Sequence, residues 1–286
     1  MKPRVYVLLL NWNGWRDTLE CLTSLQHLKY DNFSVVVLDN GSTDDSVKRI
    51  RESFSSAILI ENGQNRGFAA GNNVGIRYAL ERGGDYVWLL NNDTVVDPDA
   101  LSTLVAVAES DPRLGAVGSV LYYMTEPDRI QAWGGGQVSL LLGTSSHYTR
   151  PVKNEKIGYL TGASILVKRA AIERVGFLDE GFFMYWEDVD YCFRLRKAGW
   201  CLAVAPESRV FHKVSSSVGG QSPTRDLLAA VSSVRFFTRH APVPIVPLII
   251  GIVLRFGKRV LSGQFRRAWA EVRGALGGLV WLGRTR

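Results

Sequence analysis

Short apolar runs alternate with helical patterns through the first part of the chain. Residues 5–10, 33–38, 57–60 and 86–90 are rich in Val, Leu and Ile and show little alternation. Continuous runs of that length suit strands covered on both faces. Between them, Leu19, Leu22 and Leu25 share one helical face, as do Val47, Ile50 and Phe54. Val74 and Tyr78 mark a third helix. Strand–helix–strand repetition predicts an α/β fold: a mostly parallel, Rossmann-like sheet flanked by helices, with right-handed crossovers. Pro98 opens a further helix through Ala108, followed by a strand at residues 116–121. From residue 122 to 150 the pattern weakens, and residues 134–136 and 144–150 read as loops. A strand at residues 163–168 and a helix at 186–198 follow, with Gly199 at the helix C-cap. Residues 201–204 and 209–211 read as two short strands, and residues 225–239 as a helix.

Polar clusters fall where the strands of such a sheet end, which is where open parallel sheets bind ligands. Strand one ends in Asn11-Trp12-Asn13-Gly14, and strand two in Asp39-Asn40-Gly41-Ser42-Thr43-Asp44. Strand three is followed by Asn65-Arg66-Gly67-Phe68 and then Gly71-Asn72-Asn73, and strand four ends in Asn91-Asn92-Asp93. Any one of these makes an ordinary turn. Four at one sheet edge predict a ligand cleft. No GxGxxG follows strand one and no GxxxxGK[ST] occurs, which argues against a dinucleotide site and excludes a P-loop. Asp39 can accept a hydrogen bond from a base or ribose. Asp93 follows an apolar strand, where a carboxylate needs a partner. A cation bridging two phosphates is such a partner, and Mg²⁺ typically needs only one or two protein carboxylates for that task.

A second acidic group, Glu187-Asp188-Val189-Asp190, opens the helix at 186–198 behind the aromatic run Phe182-Phe183-Met184-Tyr185-Trp186. Acidic residues favour a helix N-terminus, so simple capping accounts for one or two of them. An aromatic wall around a carboxylate also suits sugar binding and raises its basicity. His212, at the end of a short strand, is open to both a structural role and metal ligation.

Charge and cysteine content narrow the partners. The chain of 286 residues carries a formal net charge of +7, with a pI near 9.4. That balance predicts anionic partners. Cys21, Cys192 and Cys201 form no CxxC pair, which predicts reduced thiols in a cytoplasmic protein. Lys2 and Arg4 precede only a short apolar run, which reads as a strand rather than a signal peptide.

These motifs resemble the family 2 glycosyltransferases of the GT-A fold, over about residues 4–217 and in the family's order. Asp39 to Asp44 resembles the nucleotide-binding DNGSTD element. Residues 65–73 resemble the N-x-G-F-A-x-G-N-N loop of a rhamnosyltransferase-like subgroup. Asn91-Asn92-Asp93 occupies the place of the metal-binding DxD with Asn for the first Asp, so metal binding rests mainly on Asp93. The resemblance implies Asp188 as catalytic base beside Glu187, and His212 as a second metal ligand for Mg²⁺ or Mn²⁺. It implies nucleotide contacts from Asn11, Asn13, Asp39, Asn40 and Ser42, and from Asn65, Arg66, Gly67, Asn72 and Asn92. Thr161, Gly162 and Trp186 would line the acceptor side.

The implied reaction is inverting transfer of a hexose or deoxyhexose from a UDP- or dTDP-sugar to a saccharide acceptor, lipid-linked, in cell-envelope glycan synthesis, with no nucleic acid involved. The alternatives are a synthase loading sugar onto polyprenyl phosphate, a nucleotidyltransferase, and a non-catalytic sugar-nucleotide binder. A nucleotidyltransferase is expected to carry a basic Gly-rich loop after strand one, and Asn11-Trp12-Asn13-Gly14 is not one.

The domain expectation is a GT-A catalytic domain over residues 1–220 and a C-terminal helical tail over 221–286. Residues 241–254 are apolar but fall short of the ~20 needed to span a bilayer, and Pro242, Pro244 and Pro247 disfavour a regular spanning helix. Beyond them Leu261, Phe265, Trp269, Val272, Leu276 and Leu279 recur at helical spacing, with Arg259, Arg266, Arg267 and Arg273 largely off that face. This predicts a helix lying on an anionic membrane, at the inner face of the cytoplasmic membrane. The competing expectation is that the stripe packs on the catalytic domain or on a second subunit, as in a homodimer.

Overall fold

The computed structural model describes residues 2–213 and 222–284. Its first half is a run of βα units: β1 (Val5–Asn11), α1 (Trp15–Leu25), β2 (Phe33–Asp39), α2 (Ser46–Ser53), β3 (Ile58–Glu61), α3 (Gly67–Glu81) and β4 (Tyr86–Asn91). Next come β5 (Thr94–Val96), α4 (Ala100–Ser110), β6 (Leu114–Tyr123), β7 (Glu126–Trp133), β8 (Gly135–Ser139) and β9 (Thr144–His147). The rest comprises β10 (Tyr159–Leu160), β11 (Ser164–Lys168), α5 (Arg169–Val175), α6 (Glu187–Lys197), β12 (Cys201–His212), α7 (Pro223–His240), α8 (Ile245–Leu261) and α9 (Phe265–Arg284).

The main sheet has the order β3-β2-β1-β4-β11-β6-β12-β5, with β7 on β6. It is parallel through its first four strands. Beyond β4 it is mixed: β11 runs antiparallel to both neighbours, whereas β12 runs parallel to β6. Tyr6, Leu8, Val36 and Leu38 join one apolar core, and Val5, Val7, Leu9 and Val37 the other. Both faces are therefore covered, which is why these strands read as unbroken apolar runs. Register then aligns the polar strand ends: Asn11 pairs with Asp39, and Leu10 with Asn91.

Three expectations are corrected. Residues 122–150 are not mainly loop. They form β7 and, with β10, a small separate sheet in the order β10-β8-β9. The Thr-Ser-Ser-His strand β9 is mostly exposed and has no apolar alternation to announce it. The two short strands at 201–204 and 209–211 are one strand, β12, broken by a register shift between Ala205 and Arg209. The proline-rich segment at 241–254 is largely a regular helix, α8. Pro242 precedes it, Pro244 caps it and Pro247 is its third residue, where the missing N–H has no helical partner to lose.

The expected boundary between residues 220 and 221 lies outside the described residues. On either side of it the packing is continuous: Val234, Phe236 and Phe237 of α7 belong to the same core as Val189, Cys192 and Leu195 of α6. Among the described residues no helix is long and apolar enough to cross a membrane.

Candidate active site

The polar strand ends, α6 and β12 enclose a cleft of about 420 Å³. Asn40, Asn65, Gly67, Asn92 and Asp93 line its sheet side, and Thr161, Gly162, Trp186, Glu187, Asp188 and His212 line the rest. Candidate residues from six separate stretches of sequence thus meet in one place. Asn11, Asn13, Asp39, Ser42, Arg66 and Asn72 are not among the lining residues.

Several of those form the frame behind the cleft. Asn11 is buried and donates from Nδ2 to Asp39 Oδ1 at 2.9 Å and to Ser42 Oγ at 3.1 Å. Asp39 also accepts from the Ser42 amide at 3.0 Å. Asn13, at φ 51°, accepts the Thr43 amide at 2.8 Å and so shapes the loop after β2. Asn40 donates to Asn65 Oδ1 at 3.0 Å and accepts from the Arg66 amide at 3.2 Å. Asn72 is buried within α3 and donates to the Phe68 carbonyl at 3.0 Å. The Arg66 guanidinium lies 3.7 Å from Glu180.

The loop ahead of α3 is locked to the segment ahead of α6. Gly67 has φ +79°, and a Cβ there would collide with the carbonyl of Phe183. The Phe68 amide donates to that same carbonyl at 2.7 Å. Only glycine meets both conditions cheaply.

Tyr185 and Trp186 are both left-handed, at φ 69° and 70°. Each such residue costs on the order of 1–2 kcal/mol. The double turn ends at the first residue of α6 and presents Glu187 and Asp188 to the cleft. Asp188 Oδ2 accepts the Gly162 amide at 2.8 Å, and Oδ1 accepts the Val189 amide at 2.8 Å. Asp188 keeps an open face to the cleft, yet burial by the surrounding protein raises its pKa above the usual carboxylate range, against the lowering effect of those two amides. Glu187 is buried, and Oε2 has no hydrogen-bond partner among the described residues. Burial, and then the neighbouring Asp188 charge, raise its pKa well above the ordinary value. Of the two adjacent carboxyls, Glu187 is the one whose charge is opposed by both burial and its neighbour, while the charge of Asp188 is supported by the Gly162 and Val189 amides.

Asp190, two residues on, is different. Its side chain is fully buried and is held by Arg194 at 2.8 Å, Arg239 at 2.9 Å and His240 at 2.8 Å. Burial alone would raise its pKa, but the bond from His240 and the charges of Arg194 and Arg239 bring it down to about 2. Asp190 is thus a permanent carboxylate tying α6 to α7.

In the same cleft, His212 Nε2 lies 3.2 Å from Asp93 Oδ1. Its Nδ1 lies 2.8 Å from Gln131 Oε1, which accepts when that nitrogen carries the proton. With the proton on Nδ1, Nε2 is left to accept, 3.4 Å from Asn91 Nδ2 and facing Asp93, the arrangement metal-binding histidines use. Among the described residues no cluster of three His, Cys, Asp or Glu forms. A carboxylate and an imidazole fit a divalent cation that takes its remaining ligands from diphosphate oxygens and water.

Sequence reasoning missed Gln131, His147, Tyr159 and Arg225. The last three line the cleft, and Tyr159 Oη lies 3.3 Å from His147 Nδ1. His147 and Gln131 sit on strands that carry no hydrophobic signature, so nothing marked them.

The family model for Glycosyl transferase family 2 matches residues 6–176. The chain belongs to that family. It is 30% identical over 236 residues to an N-acetylglucosaminyl-diphospho-decaprenol L-rhamnosyltransferase of Mycobacterium tuberculosis, covering 73% of this chain and 76% of the relative. The rhamnosyltransferase WbbL of Escherichia coli is 26% identical over 229 residues, covering 73% and 83%. Among solved structures, a mannosyltransferase from Pyrobaculum calidifontis in complex with GDP-Man and Mn²⁺ superposes with a TM-score of 0.62 at 19% identity, covering 100% of this chain and 76% of that one. That likeness establishes the GT-A fold. This family 2 glycosyltransferase therefore carries its polar strand ends on the expected scaffold.

Proposed function

We propose that this glycosyltransferase moves a hexose or deoxyhexose, with rhamnose the leading candidate, from a nucleoside diphosphate sugar to a lipid-linked saccharide, with inversion at the anomeric carbon. The observation that carries the reading is that Asp188 and the Asp93–His212 pair line one and the same cleft. The rhamnosyltransferase names of two relatives support the sugar, and the diphospho-decaprenol in one name supports the acceptor class.

In this reading the loops after β2 and β3 receive the nucleotide, with Asp39 shaped for a base or ribose by Asn11 and Ser42. Asp93 and His212 hold a divalent cation, which when bound neutralises charge on the departing diphosphate. Asp188 takes the proton from the acceptor hydroxyl as that oxygen attacks. The Gly162 amide fixes the carboxylate's direction. Glu187, kept neutral, spares Asp188 a second charge. General-base assistance of this kind is typically worth ~10²–10⁴ in rate.

The same reading places the enzyme on a membrane. The stripe expected from sequence is exposed: Trp269 is 62% exposed while Ala268 beside it is 1% exposed. α9 turns its small residues to α7, where a Cβ at Gly274 or Gly278 would collide with α7 atoms. Its large residues, Phe265, Trp269, Leu276 and Leu279, face outward, as do Ile249 and Val253 of α8 and Leu141 and Leu142 of the β8–β9 turn. Apolar surface of this kind, with Arg266 and Arg273 exposed on α9, suits the interface of an anionic leaflet.

The deciding experiment incubates the enzyme with a panel of UDP-, dTDP- and GDP-sugars and saccharide acceptors, and measures released nucleoside diphosphate. Release dependent on one donor and one acceptor supports the reading. Binding of donors with no release under any pairing defeats it.

A further inference from the structure

A second cavity, of about 460 Å³, adjoins the cleft; Ser145, Trp186, Arg225 and Ala229 line both. Its walls come largely from α7, α8 and α9. They carry the cations Arg225, Arg255, Lys258, Arg259 and Arg267 against the carboxylates of Asp226 and Glu271. Five positive charges less two negative leave an excess of three. The carboxylates are buried and already engaged: Asp226 by Arg259 and Arg267, Glu271 by Arg255 and Arg259. Lys258 stands exposed and forms no salt bridge among the described residues.

Guanidinium groups pinned by buried carboxylates are pre-set fork donors, and phosphate oxygens match that geometry. The concave shape suits a compact anion rather than a polyanionic strand. The shared wall at Trp186 and Arg225 gives a route from this cavity to the cleft that holds Asp188. Two of the helices that wall the cavity also bear the exposed apolar residues Ile249, Val253, Phe265 and Trp269. A ligand with a sugar at one end, a diphosphate in the middle and a hydrocarbon chain at the other would meet all three surfaces in that order.

We propose that this basic cavity binds the diphosphate of a lipid-linked acceptor and so delivers the acceptor sugar to Asp188. The proposal rests on the reading of the first cleft as the transfer site.

The test compares two acceptors bearing the same sugar: a sugar diphosphate with a short prenyl chain, and an alkyl glycoside without phosphate. With wild-type enzyme the ratio of kcat/KM should favour the diphosphate acceptor by at least about tenfold, the scale on which charge-assisted hydrogen bonds to phosphate act. Lys258→Glu, alone and with Arg225→Gln, should lower that ratio, and Lys258→Arg should keep it. An unchanged ratio in both lowered-charge variants overturns the proposal. Calorimetric binding of the prenyl diphosphate compound, in EDTA and without donor, reads the cavity independently of turnover. Binding that Lys258→Glu weakens, with no transfer to either acceptor, keeps the diphosphate site and defeats the transfer reading. Transfer to both acceptors with a charge-insensitive ratio does the reverse. Finally, if Lys258→Glu abolishes binding to phosphatidylglycerol vesicles but leaves the acceptor ratio intact, the cavity holds a phospholipid headgroup and the proposal is wrong.

Discussion

His212 Nε2 and Asp93 Oδ1 lie 3.2 Å apart, because antiparallel pairing of β12 with β5 sets His212 opposite Thr94, the residue after Asp93. A long loop of sequence is closed to bring these two side chains together, and the Gln131 bond to Nδ1 fixes the ring.

That pair predicts metal dependence. EDTA should abolish transfer, and Mn²⁺ or Mg²⁺ should restore it. Asp93→Ala should be inactive but folded, His212→Ala less severely impaired. Gln131→Leu should raise the metal concentration needed for half-maximal rate by ~10-fold or more. Full activity in EDTA would remove the cation from the mechanism.

The acidic pair predicts different fates for neighbours. Asp188→Asn should lower kcat by ~10² or more with donor affinity little changed. Glu187→Gln copies the neutral acid and should retain far more activity. The acid limb of the pH–rate profile should lie above the usual carboxylate range, since burial raises the pKa of Asp188. A dead Glu187→Gln beside an active Asp188→Asn would exchange their roles.

Glu187 also predicts a stability profile. Its folded pKa is raised, so above the ordinary value of 4.5 the folded state binds more protons than the unfolded state. Stability from this group therefore falls as pH rises from 4.5 towards the raised folded value. Glu187→Gln should raise Tm more at pH 8 than at acidic pH, as thermal melts across that range can show.

Asp190 works with the opposite sign. Its pKa is lowered from 3.8 to about 2, so its stabilisation is present above 3.8 and lost as pH falls towards 2. Asp190→Asn leaves Arg194, Arg239 and His240 facing a neutral group and should cost on the order of 3 kcal/mol. Urea titration at neutral pH should show it, and a loss within error would mean that these cations find other partners.

These placements also show what the sequence could disclose. The first four strands were legible because burial on both faces writes unbroken apolar runs, and their polar ends marked the cleft. Acidic Glu187 and Asp188 were visible as a cluster, but Asp190 separates from them only through Arg239 and His240, far along the chain. Gln131 and His147 lie on edge strands whose exposed faces leave no period. The small faces of α9 were readable as helix-weakening glycines, yet their packing on α7 is what keeps its large residues outside.

Membrane association can be tested on those outward residues. The full chain should sediment with vesicles containing acidic lipids and be partly released by high salt. Replacing Phe265, Trp269 and Ile249 together with Ser should weaken binding at least about tenfold, since each large apolar side chain buried contributes ~1.5–3 kcal/mol. Because α9 packs on α7 through Gly274 and Gly278, while Phe265, Trp269 and Ile249 stay largely exposed and Trp269 meets the Phe256 ring of α8 only edge-on, the fold should survive. Unaltered sedimentation would assign the surface to a protein partner or to a second copy of the chain.

The single carbonyl of Phe183, met by the backbone at Gly67 and bonded by Phe68, rivets the β3–α3 loop to the segment leading into α6. The β3–α3 loop and the segment leading into α6, which bring Gly67, Phe68, Glu187 and Asp188 to the cleft lining, thus share one backbone atom, so a side chain at position 67 that displaced Phe183 would disturb both stretches at once.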